Sequence, residues 1–235
     1  MPMPSFPGAP ATSASPMAFS EAQRAFMTRV YGWMFVGLSA TAVTAFAAAS
    51  SRAAMQFVAG SYLVLILVEF GLVLALSFLA TRMNAAMAGL MFLAYAVVNG
   101  LTLSGIFFVY RLGTIGNAFA VTAGVFGAMT LYATVTRKDL SAWGSFLFIG
   151  LVGVVVAGIV NLFLANDLLG FVVSCVCVVV FAGLTAYDTQ KLRNHFSVSY
   201  AGGGVGSLAI VGALMLYLDF INLFLAILRL FGRRD

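Results

Sequence analysis

The stretch Leu151-Val-Gly-Val-Val-Val-Ala-Gly-Ile-Val160 decides the fold class, because it carries no polar side chain at any position. A membrane β-strand points its side chains alternately to lipid and lumen, so its sequence alternates. A run that never alternates suits a segment with apolar surroundings on every side. Such a segment must also satisfy its own backbone hydrogen bonds, which in a bilayer leaves the helix. The same pattern extends along the chain. Of 235 residues, 63% are hydrophobic and 8% charged, against about 25% charged in ordinary soluble domains. The sequence therefore predicts an all-α integral membrane protein.

A span needs about 20 largely apolar residues. Seven windows meet that length: 30–50, 62–79, 85–109, 116–134, 145–164, 168–187 and 207–230. Short polar turns separate them, so neighbouring helices run antiparallel. Residues 1–20 are rich in Pro, Ser and Ala and lack a basic start, which reads as a disordered tail rather than a signal peptide. Residues 21–235 then form one domain of seven transmembrane helices. Cys175 and Cys177 point to different sides of one helix, so they do not pair. No basic run is long enough for nucleic acid.

Loop charge sets the orientation. Arg24, Arg29, Arg82, Arg137, Lys138, Lys191 and Arg193 fall on the side of the N-terminus, against Arg52 and Arg111 opposite. The positive-inside rule makes the N-terminus cytoplasmic. Arg229, Arg233 and Arg234 pull the C-terminus to the same side, which seven spans forbid. Either the last segment is re-entrant or the first six spans outvote the tail.

In so apolar a chain, carboxylates at membrane depth are the informative positions. Asp219 falls near the centre of the last span, with Asn222 and Arg229 on its stripe. Glu69 lies in the second span, about 10 Å from its outer end when counted from Tyr62. Asp188 ends the sixth span. Together they form a ladder from the outer third to the inner mouth, with oxygens suited to Ca²⁺ or protons. The plainer readings are an interhelical hydrogen bond for Asp219, a snorkelling or protonated Glu69, and a solvated boundary residue for Asp188. Tyr95, Asn99 and Thr102 make a polar stripe in the third span that lines the same path or bonds helices together. Arg82 ends the second span on the side of Asp188, so an ion pair between them is geometrically open. His195 reads as a solvated loop residue, and Gly202–Gly206 as a hinge before the last helix.

Two of these stretches carry a resemblance. Gly183-Leu-Thr-Ala-Tyr-Asp-Thr-Gln190 and Leu216-Tyr-Leu-Asp-Phe-Ile-Asn-Leu-Phe-Leu-Ala-Ile-Leu-Arg229 resemble the signature stretches of the Bax inhibitor-1 family, which includes bacterial YccA-like proteins. Arg29-Val-Tyr-Gly-Trp-Met-Phe-Val-Gly-Leu38 resembles that family's entry into the first span. The resemblance implies seven helices with a central last helix ringed by the others. It also implies a pH-sensitive Ca²⁺ leak in a bacterial inner membrane, with Asp188 and Asp219 as sensor and expected Ca²⁺ ligands. Arg82 as their latch and Glu69 on the ion path follow by helix and depth alone, while Asn99 and Asn222 are pore-lining candidates from their polar stripes. Ca²⁺ enters as the transported ion, and no tightly bound cofactor is expected.

Some bacterial relatives are described instead as modulators of a membrane-bound AAA protease, which gives the alternative function. Enzymatic readings fail on residue placement. Intramembrane serine proteolysis wants a Gly-x-Ser-Gly serine and a histidine within spans, whereas Leu103-Ser104-Gly105 follows Thr102 rather than glycine, and His195 falls in a loop. A retinal pigment needs a lysine in the last helix, and Lys138 and Lys191 are both elsewhere.

Overall fold

The computed structural model describes residues 16–79, 83–200 and 205–232. Eight helices follow in order: α1 (Pro16–Ala49), α2 (Arg52–Leu79), α3 (Ala85–Leu103), α4 (Ile106–Val109), α5 (Leu112–Val135), α6 (Ser141–Leu164), α7 (Asp167–Tyr200) and α8 (Val205–Phe231). With α3 and α4 counted as one span, seven helices are long and apolar enough to cross a membrane. No strand occurs among the described residues.

Local chemistry fixes several boundaries. Asn84 caps α3 by accepting from the Met87 N–H at 2.8 Å, which satisfies one of the orphan donors of a helix start. Ser104 donates to the Leu101 carbonyl at 2.6 Å, where α3 gives way to α4. Asn166 accepts from the Leu169 N–H at 2.9 Å and opens α7. Just before it, Ala165 takes the left-handed conformation (φ 47°) that ends α6, a position more often filled by glycine.

The last helix is the centre of the bundle. In its membrane window 72% of residues are buried, against 11% in α2 and in α6. It packs against α7, α1, α5 and α3. The expected ring of six is open on two sides, because α2 leans on α3 and α1, and α6 on α7. Wholly buried Tyr217 meets Phe92 and Tyr95 edge-on at 5.6 and 5.7 Å. On the other flank Phe220 meets Phe119 and Phe126 of α5 at 5.3 and 5.5 Å. Small residues set the close crossings. A Cβ on Gly100 would stand 2.7 Å from the Thr41 carbonyl oxygen in α1.

Three sequence expectations change. Lys191 to Tyr200 belongs to α7 and is not a loop, so His195 is an exposed helical residue. Leu192 and Phe196, four apart, explain the extension: they are 3% and 1% exposed. Phe196 stacks on Phe26 at 5.0 Å, and the two residues give this end of α7 an apolar face against α1. The helix α1 starts at Pro16, inside the stretch read as a tail. Finally, α8 is unbroken from Val205 to Phe231, and Gly232 beyond it lies against Tyr110, beside the start of α5. That places the end of α8 on the side opposite the start of α1 and removes the re-entrant alternative. Gly202–Gly204 of the expected hinge lie outside the described residues.

Candidate functional site

Two polar groups occupy different faces of α8. Tyr217 and Asp219 are two positions apart, about 200° around the helix axis. Asp219 is 4% exposed, and its Oδ2 is buried with no hydrogen-bond partner among the described residues. Its carboxyl feels the charge of Asp188 on α7, and Asp188 in turn feels the Lys191 ammonium. Lys191 stands at i+3 from Asp188 and also lies 5.6 Å from the Tyr187 ring centroid. A buried carboxyl oxygen left unsatisfied is costly to folding.

The second group faces α1, α2 and α3. Tyr217 donates to Asn99 Oδ1 at 2.9 Å, and its hydroxyl is 2.6 Å from that of Thr41. Thr41 also reaches the Gly37 and Ala96 carbonyls at 3.0 and 2.9 Å. Asn99 Nδ2 donates to Glu69 Oε2 at 3.4 Å, and Thr102 donates to Glu69 Oε1 at 2.5 Å. Four helices are therefore joined through one polar chain: Glu69 on α2, Asn99 and Thr102 on α3, Tyr217 on α8 and Thr41 on α1.

The structure brings Asp188 to Asp219 and Glu69 to Asn99, and it sets the two pairs on different faces of α8. Glu69 stands further along its helix than a start at Tyr62 implies. Its helix starts at Arg52 rather than Tyr62, so it stands seventeen residues, about 26 Å, from that end. Helix-forming residues such as Ala53, Ala54, Met55 and Gln56 carry α2 back to Arg52. Asn222 donates to the Leu218 carbonyl of its own helix at 2.8 Å. Arg229, on the same sequence stripe, is exposed. Arg82 lies outside the described residues. Sequence reasoning missed Tyr217, Thr41 and Lys191. For Lys191 the i, i+3 spacing from Asp188 was legible. Tyr217 and Thr41 sit in apolar runs, and nothing short of the packing singles them out. Among the described residues no three His, Cys, Asp or Glu side chains gather as a metal cage. Cys175 and Cys177 are both free thiols.

The family model described as "Inhibitor of apoptosis-promoting Bax1" matches residues 23–235. The chain belongs to the Bax inhibitor-1 family. The chain is 46% identical over 214 residues to the inner membrane protein YbhL of Escherichia coli K12, covering 89% of this chain and 92% of that one. It is 45% identical over 212 residues to a protein of Deinococcus radiodurans, covering 90% and 92%. A protein of Borreliella burgdorferi is 38% identical over 213 residues, covering 89% and 92%. Family and helical fold together point to a non-enzymatic integral membrane protein.

Proposed function

We propose that this chain is a pH-sensitive cation leak channel of a bacterial inner membrane, with Ca²⁺ as the transported ion and Asp188 and Asp219 as its gate. The observation that carries the reading is the buried oxygen of Asp219, without a hydrogen-bond partner among the described residues and within electrostatic reach of a second aspartate. Two carboxyls in a dry site resist ionising together, so they exchange charge state as a pair. The charges acting on them include each other's and, on Asp188, that of Lys191. At higher pH both are charged, and a cation latch holds them; Arg82 retains that role within the proposal, and Lys191 is the cation already beside Asp188. As pH falls, one aspartate takes a proton, the latch loosens and the inner mouth opens. Ca²⁺ normally takes six to eight oxygens. A pair of carboxyls supplies too few to trap the ion, which suits passage better than residence. Glu69, hydrogen-bonded to Asn99 and Thr102, adds a carboxylate on the α3 side of α8. The inner membrane assignment draws on the name of the YbhL relative, and the cytoplasmic N-terminus on loop charge.

The test is Ca²⁺ flux in proteoliposomes from neutral to acidic pH. Wild type conducts alone, and more in acid. Asp219→Asn folds but loses the pH response. Unchanged flux and pH dependence in that variant leaves Asp219 merely structural. No flux from wild type at any pH sinks the channel and favours modulation of a membrane AAA protease through contact.

A further inference from the structure

On the end of the bundle where α1 begins, a basin of about 280 Å³ opens between α1, α7 and the turn joining α5 to α6. Gln23, Thr136, Arg137, Lys138, Gln190 and Arg193 line it. We propose that this basin binds a phosphate group, carried by an anionic phospholipid headgroup or by a soluble phosphate.

The charge of the basin is one-sided. Three cations, Arg137, Lys138 and Arg193, face one carboxylate, Asp139. Asp139 is already engaged: its Oδ1 accepts from the Ser141 N–H at 2.9 Å. Bonds from the Ser141 side chain and backbone hold it below the usual carboxylate range, so it stays ionised and committed to the start of α6.

The walls are also pre-fixed. Gln190 clasps the turn with both ends of its amide, donating to the Lys138 carbonyl at 2.9 Å and accepting from the Leu140 N–H at 2.8 Å. Arg193 donates to the Thr134 carbonyl at 3.0 Å, and Gln23 to the Arg193 carbonyl at 3.1 Å. These bonds occupy three carbonyl oxygens around the basin, which leaves Asp139 as its one charged acceptor against three cations. Guanidinium forks match phosphate oxygens in pairs, and a lysine beside them adds a point charge. The location fits as well. Thr136 follows the last residue of the α5 span, which sets the basin at the depth of lipid headgroups.

A local site and a diffuse basic face make different predictions. Two double variants of full-length protein remove equal charge from the same end: Arg137→Gln with Lys138→Gln inside the basin, and Arg24→Gln with Arg29→Gln outside it. All four side chains are exposed, so folding is checked by circular dichroism and survives in both. One arm places each protein in phosphatidylcholine nanodiscs doped with phosphatidylglycerol and reads retained phosphatidylglycerol by native mass spectrometry. The other titrates inorganic phosphate into protein in phosphatidylcholine nanodiscs by calorimetry. The basin variant loses affinity by at least about tenfold, and the outer variant by less than about twofold. Selective phosphatidylglycerol retention with no phosphate heat assigns a lipid headgroup. Saturable phosphate heat assigns a soluble phosphate, and either supports the site. Equal losses in both variants, or saturable binding of neither probe to wild type, overturns it. If the basin double variant misfolds, Arg137→Gln alone carries the test with an expected loss of about fivefold.

Discussion

Removing the Tyr217 hydroxyl tests whether the polar chain through the bundle centre holds the helices together. Tyr217 is wholly buried, so Tyr217→Phe takes away one oxygen and leaves the ring contacts with Phe92 and Tyr95. Thr41 loses its 2.6 Å contact but keeps the Gly37 and Ala96 carbonyls as acceptors. Asn99 Oδ1 loses the donor that stood 2.9 Å away. The net change is one buried acceptor left without its donor. In water-soluble proteins that costs about 1–3 kcal/mol, and hydrogen bonds between transmembrane helices average about 0.6 kcal/mol with a ceiling near 1.7. The expected loss is therefore about 1 kcal/mol, read by reversible SDS unfolding in bicelles. Asn99→Ala costs more, because it also releases Glu69 and leaves a small cavity. A double-mutant cycle between the two assigns the shared part, about 0.6–1.7 kcal/mol. Tyr217→Phe at wild-type stability, or a cycle with no coupling, refutes the chain as a structural tie.

Other outcomes follow from the same structure. Gly100→Ala forces a Cβ to 2.7 Å from the Thr41 carbonyl oxygen and 2.8 Å from Thr44 Cβ; neither yields easily, so thermal unfolding in detergent should show a loss of about 1–3 kcal/mol. Gly124→Ala, with open space around the added methyl, should be neutral or slightly stabilising in the same assay. Phe196→Ala removes a ring that is 1% exposed and stacked on Phe26; it should cost about 3–4 kcal/mol and loosen the near end of α1, seen as faster amide exchange there. Single cysteines at Arg137 and Lys191 should label from one side of sealed vesicles, and cysteines at Arg52 and Asn166 from the other. Labelling of positions 166 and 191 from the same side would contradict α7 as a span.

Hydrophobicity made the spans legible, because a bilayer imposes its thickness on every crossing and leaves little choice of composition. Their ends were harder. Leu192 and Phe196 sit among Lys191, Arg193, Asn194 and His195, so a window average reads polar while the helix continues on a two-residue apolar stripe. The extent of α2 was missed for a related reason: Arg52, Gln56 and Ser61 interrupt Met55, Phe57 and Val58 before Tyr62, so the stretch does not read as a continuous apolar run. The aspartates stood out because charge at depth is rare. Tyr217 and Thr41 did not, because a hydroxyl in an apolar run gains its meaning from a partner more than a hundred residues away. The two-residue spacing of Tyr217 and Asp219 puts them on different faces of α8, but which helices each face meets followed from packing.

The length of α7 has a mechanical consequence. Its 34 residues span about 51 Å, while the hydrocarbon layer is about 30 Å thick, so the rod stands proud of the bilayer. Between Asp188 and Phe196 there is no proline or glycine, hence no joint. Those eight positions cover about 12 Å, and a straight helix over that distance moves as one piece. A push or pull applied outside the membrane at His195 is therefore felt at Asp188 without passing through a hinge. Asp188 is attached to a lever whose handle is the exposed end of α7.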